Sequence, residues 1–182
     1  MQQTKQKKST PEQLEYDVRS CSFESRTDTV NIAARTVDAV IATEARVDIY
    51  DRGRRQVVEE ILLMRGYLDP IATVPLLDNH FRFSLDDVFG SSRGIEVKGT
   101  ELHARLHFAD LTEITSDDPE ARRLERAWLK VQQGHQRQVS LGYEVHEATY
   151  VEPGSSKTIA GRKFTAGDRP LRIATRWRPK EV

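Results

Sequence analysis

One cysteine in 182 residues leaves nothing for it to pair with inside the chain. Cys21 therefore forms no internal disulfide and anchors no cysteine-rich metal cluster. It reads as a half-buried bystander or, less simply, as a nucleophile, although nothing near it in sequence lowers a thiol pKa. Charge of one sign is lacking as well. Lys and Arg number 28, Asp and Glu number 28, and the two kinds are interspersed. That gives no electrostatic case for nucleic acid or an anionic membrane as the main partner. No apolar run approaches the ~20 residues of a membrane-spanning helix. The segment Met1-Gln-Gln-Thr-Lys-Gln-Lys-Lys is basic, but no apolar stretch follows it, so it lacks the pattern of a secretory signal. Glycine-rich phosphate loops and dinucleotide fingerprints are missing too. These gaps leave the expectation of a soluble, cytosolic domain that needs no cofactor, one domain being what this length supports.

What is present is a succession of short strand-like segments. Residues 1–15 are polar and rich in Gln and Lys, and read as a disordered tail. The domain is expected over 16–182. Tyr16 to Val47 is β-like, with Thr29-Val30-Asn31-Ile32-Ala33-Ala34 among its segments. Arg46-Val47-Asp48-Ile49-Tyr50 alternates cleanly, and Asp51-Arg52-Gly53 supplies a turn. Val57 to Met64 fits a strand or a short helix, and Gly66 breaks it. Ile71 to Leu77 is a strand that leads to His80. Phe81 to Gly94 reads as a connection into a hairpin. Its arms are Glu96-Val97-Lys98 and Leu102 to Phe108, joined at Gly99-Thr100.

One helix is clearly signalled. Ser116-Asp117-Asp118-Pro119-Glu120 offers a cap, acidic first-turn residues and an early proline. Leu124, Ala127, Trp128 and Val131 then recur at helical spacing, and Gly134 ends the pattern. Gln138 to Val145 is a strand, 153–157 a surface loop, and Ile159 to Phe164 and Leu171 to Trp177 are late strands. Short strands with turn signals and a single good helix predict a mainly β fold with flanking helices. The expected form is one closed or nearly closed antiparallel barrel.

Two stretches carry chemistry. Pro75-Leu76-Leu77-Asp78-Asn79-His80 places a histidine at the end of an apolar run. Val139-Ser140-Leu141-Gly142-Tyr143 places a serine inside a strand. Histidine takes a proton near neutral pH, and a serine hydroxyl needs such a base to become a nucleophile. Taken alone, each is an ordinary strand residue. Gly142 allows close approach of backbone or substrate, or marks a β-bulge. The glycines and serines of 89–94 form a turn or, more ambitiously, help hold an oxyanion. His103 and His107 share a face of a strand. No Glu follows them in a zinc-protease pattern, so they read as plain sheet residues. His135 and His146 flank the serine strand and are expected to face solvent.

Together these stretches resemble the head-maturation (prohead) proteases of tailed bacteriophages, which share a fold with the herpesvirus assembly proteases. The matching pieces begin with Glu59-Glu60-Ile61-Leu62, Val74 to His80, and Phe89-Gly90-Ser91-Ser92. They continue with Leu106-His107-Phe108, Gly134-His135, Val139 to Tyr143, and Arg176-Trp177-Arg178-Pro179-Lys180-Glu181-Val182. Their order and spacing, from about residue 20 onward, carry the likeness.

The resemblance implies a serine endopeptidase with His80 as base and Ser140 as nucleophile. Its third member would be an acid in a late strand, for which Glu181 fits the pattern. Glu144, Asp168, His103, His107 and His146 are the other residues able to orient a histidine. The resemblance further implies scaffold and capsid-protein segments as substrates, with self-cleavage among them. The place of action would be the procapsid interior or the host cytoplasm. The family strand runs beyond the position of Val182, so the chain is expected to be a piece of a longer polypeptide, such as a capsid or scaffold fusion. The competing expectation is a head domain that kept the barrel and lost activity. Cleavage-site preference, oxyanion donors and homo-oligomeric state are not legible.

Overall fold

Alternation sets most of the strands. In β7 (Glu101–Phe108), Leu102, Ala104, Leu106 and Phe108 are buried, and the residues between them face outward. A two-residue period on a sheet with one wet face produces this pattern. β2 (Thr36–Thr43) buries Val37, Ala39 and Ile41 in the same way. The computed structural model describes residues 16–24, 27–70, 73–80, 84–111 and 118–182, without the side chains of 16–24, 27 and 85. The expected tail at 1–15, Ile71, and Ser116-Asp117 lie outside the described residues. Cys21 falls in a strand whose side chains are likewise not described.

The described chain is mainly β with one α-helix. A five-stranded sheet runs in the order β1 (Tyr16–Glu24), β8 (Gln138–Val151), β11 (Leu171–Glu181), β4 (Gln56–Leu62), β3 (Val47–Asp51). A four-stranded sheet runs β2, β7, β6 (Val88–Lys98), β5 (Val74–Leu77). A small hairpin joins β9 (Ser156–Ile159) to β10 (Arg162–Thr165).

β11 links the two sheets. Its first half runs parallel to β4, with Leu171 opposite Glu59 and Ala174 opposite Leu62. Past its end, Val182 donates its N–H to Pro75 O (3.0 Å), and Leu77 N–H donates to Val182 O (2.8 Å). The strand thus passes from β4 in one sheet to β5 in the other. No ladder closes the opposite side, between β1 and β2, among the described residues. The result is a curled half-barrel and not the closed antiparallel barrel that the strand count suggests. The β3–β4 hairpin occupies the five-stranded sheet's far edge, and β4 pairs with β11 in parallel.

The main core fills the curl. Val37, Ile41, Leu62, Leu102, Leu106, Leu141, Tyr143 and Trp177 meet there. Trp177 is fully buried, and its Nε1–H donates to Leu63 O at 2.8 Å. A second core of Ile61, Phe164, Leu171 and Ile173 lies under the β9–β10 hairpin.

The helix α1 (Pro119–Gln132) forms as its sequence indicates. Asp118 caps it, accepting from Glu120 N–H at 2.8 Å and Ala121 N–H at 3.3 Å. Pro119 occupies the first turn, where a missing N–H costs nothing. Leu124, Trp128 and Val131 pack inward, and Gly134 follows at φ 72°.

Three local expectations are corrected. Ile159 to Phe164 is not one strand: Ala160 (φ 50°) and Gly161 (φ 81°) form the turn between β9, which begins at Ser156, and β10. Residues 29–34 are not a strand: Asn31 Oδ1 accepts from Ala34 N–H, Arg35 sits at φ 50°, and the strand starts at Thr36. Side-chain capture of the backbone by Asn favours a turn there. Residues 89–94, expected as a connection, are interior to β6. Gly90 is needed there for close approach and not for turning, because a Cβ would lie 1.9 Å from His107 O.

Candidate active site

Two strands and one turn supply the chemistry. Ser140 lies near the start of β8, Glu181 at the end of β11, and His80 just beyond β5. β8 and β11 are antiparallel neighbours, with Glu181 opposite Gly142. The register slips between Pro179 and Glu181. A bulge adds a residue, bends the strand and re-aims the next side chain. The bulge expected at Gly142 is not there: Gly142 pairs in regular step with β1, and the irregularity opposite it lies in β11. Proline suits this spot because it has no N–H for a ladder. Lys180 turns outward, while Glu181 and Val182 are both buried.

β5 ends at Leu77, and a tight turn follows. Asn79 has φ 51° and His80 φ 61°, two successive left-handed residues that are not glycine. Asn and His are among the side chains that enter this region most readily, yet each such residue costs energy that the surroundings must offset. Asp78 is held on both sides. Its N–H donates to Asp87 O (3.0 Å), and its carboxylate accepts from Arg123 of α1. Arg123 Nη1 also lies 3.5 Å from Asp87 Oδ1. Hydrogen bonding to Asp78 holds the Arg123 guanidinium above its ordinary range.

The three side chains form a continuous line. Ser140 Oγ is 2.6 Å from His80 Nε2, and His80 Nδ1 is 2.8 Å from Glu181 Oε1. A carboxylate only accepts, so Nδ1 carries the proton and donates to Glu181. Nε2 of the neutral ring is then free to accept from the Ser140 hydroxyl. Glu181 is fully buried, and His80 is 19% exposed by side chain. The acid end is dry, and the serine end is wet. A cleft of about 740 Å³ opens beside Ser140 and His80. Leu76, Leu106, Phe108 and Val131 give it an apolar lining, and Arg123, Arg126 and Lys130 of α1 line it as well.

The other orienting residues are engaged elsewhere. Glu144 lies 3.5 Å from Lys180 Nζ and 3.8 Å from His146 Nε2. His103 pairs with Glu101 at 2.9 Å. Burial, then the charges of Arg93 and Arg105, push His107 down from its ordinary pKa. Asp168 sits in the turn before β11, and His135 is exposed near the end of α1.

Gly90-Ser91-Ser92-Arg93-Gly94 has the letters of a Gly-x-Ser-x-Gly nucleophile elbow but none of its geometry. It is strand β6, not a strand-to-helix turn. Ser92 is buried at 3% exposure. Among the residues that sequence reasoning missed, Arg123 and Asp87 support the His80 turn. Only the acid–base complementarity of Arg123 with Asp78 and Asp87 hinted at it. Comparison with protein-family models, with curated proteins and with solved structures finds no match for this chain.

Proposed function

We propose that this chain is a serine endopeptidase of the prohead-protease type, with Ser140 as nucleophile, His80 as general base and acid, and Glu181 as the orienting carboxylate. One observation carries the reading: the unbroken line from Ser140 Oγ through the His80 ring to a fully buried Glu181, opening on a cleft. Nucleophile, base and orienter within hydrogen-bond reach are the recurring signature of such enzymes on unrelated folds.

The steps follow from the protonation pattern. Ser140 Oγ attacks the peptide carbonyl carbon as its proton passes to His80 Nε2. Glu181 stabilises the imidazolium through Nδ1–H. His80 then protonates the leaving amine, and the C–N bond breaks to leave an ester on Ser140. Water enters, His80 takes its proton, and the hydroxide adds to the ester. Return of the proton to Ser140 Oγ releases the acid. A β-strand edge is available for the substrate. β8 pairs with β1 from Gln138 onward, but its β11 pairing begins only at Gly142. An extended peptide could add to that edge by backbone hydrogen bonds, with side chains in the cleft.

In this reading the substrates are scaffold and capsid-protein segments, cut in the interior of an immature phage head, with self-cleavage as a side reaction. The curled sheet would be a variant of the herpesvirus-protease barrel. The rival reading, a head domain without activity, is disfavoured by retention of all three groups in register. The test incubates the purified chain alone and with scaffold or capsid precursor, beside Ser140→Ala. Cleavage by the wild type and none by Ser140→Ala is the expected result. Equal cleavage by both ends the serine-protease reading.

A further inference from the structure

We propose that Arg123 is a positioning residue: it clamps Asp78 and Asp87, and through them holds the strained turn that presents His80 to Ser140 and Glu181. The inference rests on the proteolytic reading of the site but concerns residues outside the triad.

The argument starts from the turn. Two successive left-handed non-glycine residues do not hold themselves in place; a surrounding structure must over-determine them. Asn79 and His80 are such a pair, and Asn79 is exposed. Asn79 Nδ2–H donates only to the neighbouring Asp78 carboxylate among the described contacts (3.0 Å). Besides the His80 ring's own bonds to Ser140 and Glu181, Asp78 therefore ties the turn to the rest of the molecule. Its backbone N–H is tied to Asp87 O, and its carboxylate to Arg123. Asp87 also meets Arg123 through its side chain. Both ends of the segment that contains His80, residues 78 and 87, thus converge on one guanidinium. The Arg123 guanidinium also lies 5.3 Å from the centre of the Phe89 ring, which keeps it over the cleft wall.

A planar fork suits this task better than an ammonium. Arginine offers several donors in fixed directions and can bridge two carboxylates, whereas lysine acts as a compact point charge. The clamp has a further consequence. It makes α1 part of the machinery, because the helix carries Arg123 into the lining of the cleft on which Ser140 opens. Packing of Leu124, Trp128 and Val131 fixes the helix. Arg123 converts that fixed position into a fixed imidazole.

The test compares wild type, Arg123→Gln and Arg123→Lys in the full chain. It uses two readouts besides a thermal melt. One is the NMR signature of the His80 ring, including its Nδ1–H resonance. The other is the rate at which a fluorophosphonate probe labels Ser140, with peptide kcat and KM wherever cleavage is measurable. Arg123→Gln is expected to broaden or shift the His80 Nδ1–H resonance. Labelling and kcat should drop on the order of 10- to 100-fold, as misplacement by about 1 Å does elsewhere, with KM changing less than about threefold. Arg123→Lys should recover part of both. A folded Arg123→Gln with unchanged His80 resonances and unchanged labelling overturns the proposal, even if its melting temperature falls. If wild type itself fails to label, the proteolytic reading fails, and the His80 resonances alone still decide the clamp. Should Arg123→Gln not fold, Asp78→Asn removes the same ion pair at constant shape and is judged on the same two readouts.

Discussion

Two buried carboxylates on this sheet have opposite fates. Glu181 and Glu60 are both fully buried. Glu181 faces an imidazole, which faces a hydroxyl, which faces a cleft. Glu60 faces Arg172 at 3.3 Å and accepts from the buried Tyr143 hydroxyl. Tyr143 lies only three positions beyond Ser140 on β8, so regular alternation sends the two side chains to opposite faces. One network ends at a cavity, and the other ends in the core beside Trp177, whose ring is 6.3 Å from that of Tyr143. The difference teaches what makes a buried acid useful. A permanent guanidinium neutralises Glu60 and leaves no proton to move. An imidazole can gain and lose one, and it touches the outside.

Substitutions should separate the two networks. The largest effects fall on chemistry. On the proposed reading, Ser140→Ala or His80→Ala should abolish proteolysis while the melting temperature stays within a few degrees. The double variant should be little worse than either single, since such residues act as a unit. Strict additivity in a cleavage assay would break the assignment. Glu181→Gln should lower kcat on the order of 10³- to 10⁴-fold, because an amide N–H opposes Nδ1–H and favours the wrong tautomer. A rate within tenfold of wild type would pass the orienting role to another group.

In the other network the effect should be on stability. Arg172→Met leaves Glu60 buried without its ion-pair partner, a loss expected to cost about 3–5 kcal/mol in denaturant unfolding. Tyr143→Phe removes one hydrogen bond to the same carboxylate and should cost about 1–3 kcal/mol. Molecules that remain folded should keep the wild-type rate per active site, counted by phosphonate labelling. A selective loss of kcat in Arg172→Met would erase the contrast between the two acids.

The smallest effect is alkaline. Tyr150 donates to Asp51, and burial with that hydrogen bond pushes it up to about 12. Burial, with the Asp69 charge adding to it, raises Tyr67 to about 12 also. A pKa above the ordinary value of ~10 means that the neutral phenol stabilises the folded state. That contribution is complete below about pH 10 and disappears as pH climbs toward about 12. Phenolate absorbance should show Tyr67 and Tyr150 among the late-ionising tyrosines. Tyr150→Phe should remove one late group. An unchanged late phase in Tyr150→Phe would remove the claim of special burial at Tyr150.

Much of this was legible because its causes are local. The helix announced itself through Asp118, Pro119 and the spacing of Leu124, Trp128 and Val131, and capping and amphipathic period act within a few residues. β7 was legible through its alternation. Residues 89–94 were misread because glycine serves turns and close strand approach alike, and only the neighbouring His107 carbonyl distinguishes them. The same blindness hid the Arg123 clamp, since an arginine on a helix face looks solvated until its partners are known.

The sequence by itself determined the strand-rich class, the helix, and the three residue types able to act together, together with their order along the chain. Only the tertiary structure decided that they meet. Ser140 and His80 are 60 positions apart, and His80 and Glu181 are 101 apart. Their approach depends on β11 passing from one sheet to the other and on a bulge that re-aims Glu181. Backbone hydrogen bonds from Val182 N–H to Pro75 O and from Leu77 N–H to Val182 O complete it. Hydrophobic period is a property of neighbours in sequence. The pairing of distant strand edges is a property of the whole packed chain, and the triad depends on the second.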